Sequence, residues 1–116
     1  MKNKKWLYIF TRKDLSPSQI AVQSIHSAFE MGRHYNNGDH PSVVLIKVKN
    51  ERELVKINFF LKENSFNFKS FNEPYYQNSL TSICLEPIEE DKRSIFKKFQ
   101  LMNDLDFSKE RKYERK

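Results

Sequence analysis

Four polar side chains, Gln19, Gln23, His26 and Glu30, recur at i, i+4, i+7 and i+11 along one stretch of the chain. On a helix this spacing brings them to one face. A histidine titrates near neutral pH and suits general acid–base work, and Glu30 is placed one turn on to orient it. A second candidate set is Glu73 with Tyr75 and Tyr76, a carboxylate in a Pro-containing loop beside two rings able to stack on bases. A third is Arg12, Lys13 and Asp14, which follow the first apolar run, at the edge where α/β folds place ligands. Arg12 and Lys13 are of the type that contacts phosphate. The same residue types also make up ordinary solvated surface, so spacing alone leaves both readings open.

The elements that must position these groups can be read from periodicity. Lys5 to Thr11 is aromatic and nearly continuously apolar, as a strand buried on both faces would be. Ser16 and Pro17 then form a helix start, and the helix is predicted from Pro17 to about Tyr35. Its core face is predicted to be Ile20, Ala21, Ser24, Ile25, Ala28 and Met31, edged by Val22 and Phe29, with the Gln19–Glu30 stripe opposite. Ser42 to Val48 is β-branched and predicts a second strand. Asn50 caps a helix running to Asn64, with Glu51 and Glu53 in its first turn. Phe66 to Phe71 alternates as a third strand, and Leu80 to Leu85 reads as a fourth. Glu89 to Met102 is predicted to be a last helix, on the spacing of Ile95, Phe96, Phe99 and Met102. The order is β-α-β-α-β-β-α: a single α/β domain over residues 1–102, with a mixed four-stranded sheet and helices on both faces. Residues 103–116 read as a charged C-terminal tail, disordered or a frayed helix.

Composition narrows the function. The chain has 116 residues, enough for one core that buries about two-thirds of the unfolded surface. Its two glycines cannot build a glycine-rich phosphate loop, and its one cysteine excludes an internal disulfide framework and a Cys-based zinc site. Cys84 falls in a predicted buried strand, where it reads as core filler. His26, His34 and His40 with Asp39 match no usual metal spacing, and no metal or other cofactor is expected. The apolar run after Lys2, Lys4 and Lys5 is too short for a secretory signal, and none approaches the roughly 20 residues that span a membrane. These features predict a cytoplasmic protein without membrane association. A net charge of +6 favours polyanionic partners such as tRNA.

Three stretches resemble the type 2 peptidyl-tRNA hydrolases. Tyr8-Ile9-Phe10-Thr11-Arg12-Lys13-Asp14-Leu15 is similar to that family's first strand and its Arg-x-Asp-Leu exit. Ile20-Ala21-Val22-Gln23-Ser24-Ile25-His26-Ser27-Ala28 is similar to its helix word Ile-Ala-Ala-Gln-x-x-His-Ala-Ala. Thr81-Ser82-Ile83-Cys84-Leu85-Glu86-Pro87 is similar to its last strand. The likeness covers about residues 5 to 100. Two departures stand out: Gln19 occupies the place of a family lysine implicated in activity, and Phe71-Asn72-Glu73-Pro74-Tyr75-Tyr76 replaces an Asp-Ala-Gly-Arg-Thr-Gln loop. The chain looks closer to divergent bacterial or phage relatives with a Phe-x-Glu-Pro loop.

The resemblance implies action on, or binding of, the acceptor end of tRNA. His26 and Glu73 would handle protons or position water, and Gln23 would hold the carbonyl or ribose. Arg12, Lys13, Asp14, Gln19, Glu30, Tyr75 and Tyr76 would line the substrate. It also implies a homodimer. The alternative implied by the departures is an inactive member of the fold that binds RNA or protein. The tRNA-ester reading requires the polar side of the first helix to border the Pro74 loop.

Overall fold

The computed structural model of the chain describes residues 4–35, 37, 38 and 40–109. Six strands and two long helices follow one another as β1 (Lys5–Arg12), α1 (Pro17–His34), β2 (Ser42–Val48), α2 (Glu51–Glu63), β3 (Phe68–Glu73), β4 (Ser79–Leu85), β5 (Ile88–Glu89) and β6 (Gln100–Leu101). Short 3₁₀ turns occupy Pro74–Tyr76, Glu90–Phe96 and Phe107–Lys109. The sheet order is β3-β4-β1-β2-β6, with β5 also on β1. The crossover through α1 makes β1 and β2 parallel, from Trp6↔Ser42 to Arg12↔Val48, whereas β4 is antiparallel to both β1 and β3.

Both helix starts follow from their caps. The Ser16 side chain accepts the Gln19 N–H at 3.3 Å with Pro17 in the first turn, and Asn50 accepts the Glu53 N–H at 3.0 Å. The two helices cover opposite faces of the sheet, because alternate residues of β1 enter different cores. Tyr8 and Phe10 pack with Ile46, Leu54, Leu61, Ile83 and Phe96 on the α2 side. Ile9 packs with Cys84 and Met31 on the α1 side. The first residues of the α1 face are apolar, but further along it the sheet presents Thr11, Thr81 and Ser82, all fully buried.

That polar patch corrects the predicted phase of α1. Its buried residues are Ile20, Gln23, Ser24, Ser27 and Met31, while Ile25 and Phe29 are each 66% exposed. Buried hydroxyls without partners would cost about 1–3 kcal/mol each. The helix therefore turns its glutamine and serines inward, and an apolar stripe of Val22, Ile25 and Phe29 faces out.

The sheet has six strands, not the predicted four, and the helix predicted over Glu89 to Met102 is replaced by β5, a 3₁₀ turn and β6. The helical spacing of Phe96 and Phe99 serves instead to seat two rings in an aromatic cluster with Tyr8, Phe10, Phe60 and Phe66. Arg93 fastens the turn, its guanidinium 3.5 Å above the Trp6 ring and donating to the Tyr8 hydroxyl at 2.9 Å. The chain then pairs with β2 through Ile46↔Leu101 and Lys47↔Gln100, and the Met102 N–H donates to Leu45 O at 2.8 Å. This pairing covers part of an otherwise open sheet edge. In the predicted tail, Asp104 is held by Lys47 at 3.0 Å, which lowers its carboxyl below the usual range; residues 110–116 lie outside the described residues.

Candidate functional site

Of the predicted residues, Gln19, Gln23, Glu73, Arg12, Asp14 and Tyr76 gather where β1 ends, α1 and α2 begin and β3 turns into β4. Gln23 is the hub. Its Nε2 donates to Glu73 Oε1 at 2.8 Å, across fifty positions of sequence, and to Gln19 Oε1 at 3.2 Å. Its Oε1 accepts the Thr81 hydroxyl at 2.6 Å, and its backbone carbonyl accepts Ser82 Oγ at 2.6 Å. Next to it, Thr11 and Ser24 share a 2.7 Å hydroxyl bond, and Ser24 also donates to Ile20 O. Every polar atom of the Gln23 side chain thus has a partner, which is what a fully buried amide requires.

Glu73 is held from both sides. Its second oxygen accepts the Tyr75 N–H at 3.3 Å and caps the Pro74–Tyr76 turn, and its carbonyl accepts the Asn78 N–H at 2.9 Å. The return to β4 passes through two left-handed residues, Gln77 (φ 56°) and Asn78 (φ 61°). Only 7% of Glu73 is exposed, so α1 and the Pro74 loop meet in a tight polar seam that leaves Glu73 a small exposed edge. Two carboxylate oxygens offer about four acceptor positions, and two are filled.

Arg12 forms the neighbouring wall. It grips Asp14 through Nε and Nη2 at 2.9 and 3.0 Å, and its Nη1 reaches Ser79 Oγ at 3.3 Å and Leu80 O at 3.2 Å. The hydrogen bond to Asp14 raises the guanidinium above its ordinary value. Tyr76 is half-buried close by, and its hydroxyl is raised first by burial and then by the charge of Glu73, with Arg12 opposing. Tyr75 projects outward, 93% exposed, in the position of a free stacking surface. Lys13 is exposed beside β2.

His26 stands one turn beyond Gln23. It is exposed and lies flat on Phe71, with ring centroids 4.3 Å apart and planes 7° from parallel. Glu30, expected to orient it, is paired with Arg33 at 3.0 Å instead. The predicted stripe therefore divides: Gln19 and Gln23 turn toward Glu73, while His26 and Glu30 stay on the surface.

Sequence reasoning missed Glu51, Thr11, Ser24 and Thr81. Glu51 was read only as a helix-dipole residue, yet its Oε2 accepts the Leu80 N–H at 2.8 Å and braces the start of β4. Thr81 and Ser82 carried a readable signal, since two hydroxyls inside a buried strand must find partners. Cys84 is buried and its thiol is pushed up to about 12 by burial, so it is inert at neutral pH.

Among the described residues, no helix is long and apolar enough to cross a membrane. No family model and no curated protein matches the chain. Among solved structures, it is similar to a protein of unknown function from Agrobacterium tumefaciens, with a TM-score of 0.65 over 87% of this chain and 98% of that one, at 12% identity. At that identity the likeness speaks for the fold alone.

Proposed function

We propose that this protein acts at the acceptor end of tRNA, as a peptidyl-tRNA or aminoacyl-tRNA ester hydrolase-like protein. The observation that carries the reading is the 2.8 Å bond from Gln23 to Glu73, which ties the helix word to the loop that replaces the family's own. It lies at the end of β1, where α/β sheets take ligands. In this reading Glu73 accepts a proton from water through its unfilled lone pairs as the water oxygen attacks the ester carbonyl. The carbon–oxygen bond to the ribose breaks, and the proton passes to the departing ribose oxygen. Gln23 keeps Glu73 in place, so it is a positioning residue. Tyr75 stacks on the terminal base, and Arg12 and Lys13 face phosphate.

The experiment is release of the blocked amino acid from diacetyl-lysyl-tRNA, with protein in excess. Turnover above buffer, falling about a hundredfold in Glu73→Gln, is the expected result. Tight binding without turnover would instead favour a second reading, an inactive module that binds RNA or protein. The burial of Glu73 and the stacking of His26 on Phe71 are the observations on its side.

A further inference from the structure

A second feature lies at the same end of the sheet but across β2. Between α2 and the 96–100 segment runs a groove of about 420 Å³. That volume falls within the range of small-ligand sites. Its floor is aromatic: Phe60 and Phe99 stand edge to face, centroids 6.2 Å apart. Its lining includes Lys47, Lys49, Lys56 and Lys98, against the single carboxylate of Glu53. Lys47 is paired with Asp104 and Lys56 with Glu53, each at 3.0 Å. Lys49 and Lys98 have no carboxylate partner among the described residues. The Lys98 ammonium lies 4.6 Å from the Phe60 centroid and 5.4 Å from that of Phe99, so the rings hold it in the absence of an anion.

Two ammonium groups without a carboxylate partner beside half-buried rings make a site for a group that is anionic at one end and flat and apolar at the other. We propose that this groove binds a nucleotide, its phosphate taken by Lys49 and Lys98 and its base laid on the face of Phe60, where the Lys98 ammonium now sits, with Phe99 standing edge-on beside it. A base on Phe60 displaces Lys98 from that ring and frees its charge for the phosphate. A free mononucleotide and the end of an RNA strand share this chemistry. The inference does not depend on ester cleavage at Glu73.

The test is a titration of the full chain, followed by backbone amide shifts, with AMP, with inorganic phosphate and with a single-stranded tetra-adenylate. AMP is expected to shift the amides of Lys49, Phe60 and Phe99 more strongly than phosphate does. For a strand with two neutralised phosphates, raising salt from about 50 to 200 mM weakens binding about sevenfold. The exposed pair Lys49→Glu and Lys98→Glu together should raise the Kd by at least about tenfold with an unchanged melting temperature. A tetranucleotide that binds more tightly than AMP supports RNA as the source, and equal affinity supports a free nucleotide. Unmoved groove amides, phosphate acting as strongly as AMP, or an unchanged Kd in the double variant would each overturn the proposal. Hydrolase activity plays no part in any of these readouts, so the two proposals fail separately.

Discussion

Replacing Gln23 by leucine tests the inward phase of α1 directly. The side chains are close in volume, so packing changes little. The Glu73 carboxylate loses the Nε2 donor, a charge-assisted bond worth about 1.5–3 kcal/mol. Thr81 loses its 2.6 Å acceptor but keeps the 3.3 Å bond to Phe71 O, so its loss is smaller, about 1 kcal/mol. Added apolar burial returns about 1 kcal/mol. The net loss is about 1.5–3 kcal/mol. A 116-residue chain has an unfolding entropy of about 0.24 kcal/mol/K, so the melting temperature should fall by about 6–12 °C. Urea unfolding followed by circular dichroism measures this, with an unchanged m-value as the sign that only stability moved. The control is Ile25→Gln, which should stay within about 0.5 kcal/mol because that side chain is 66% exposed. If Gln23→Leu is neutral and Ile25→Gln costs more, the helix is turned the other way and the Gln23–Glu73 seam does not exist.

Cys84 supplies a pH prediction. Its folded pKa is raised to about 12 from an ordinary 9.0, so the folded state keeps a proton that the unfolded state releases. Its contribution is therefore complete below pH 9 and is lost as pH rises from about 9 toward 12, at about 1.4 kcal/mol per unit. Urea midpoints of the wild type and Cys84→Ala should converge between pH 8 and pH 10, and parallel pH profiles would contradict the assignment. Gln77→Gly should stabilise by about 0.5–1 kcal/mol, because glycine adopts φ 56° without a Cβ clash; a loss on calorimetry would mean that the Pro74 turn is not left-handed there.

The sequence by itself determined the elements whose signals are local. The cap at Ser16 with Pro17, the cap at Asn50 and the β-branched run Ser42 to Val48 mark α1, α2 and β2 through nearest neighbours alone. The choice of Gln19, Gln23 and Glu73 as candidate site residues also came from residue type and from the resemblance of their stretches to a known order of motifs. Tertiary structure decided what spacing could not. Ile25 and Gln23 both lie on plausible helix faces, and only the hydroxyls of Thr11, Thr81 and Ser82 waiting in the sheet select Gln23 as the buried one. Phe96 and Phe99 fit a helix stripe equally well, and only the rings of Tyr8, Phe10 and Phe60 with the open edge of β2 draw that segment into a turn and a strand. The lysine groove joins residues about fifty positions apart, from Lys47 to Lys98, and exists only once α2 and the last strand are docked. A period read along the chain says which residues share a face; what that face meets is set by long-range partners, and the cost of leaving a buried polar group alone makes the choice.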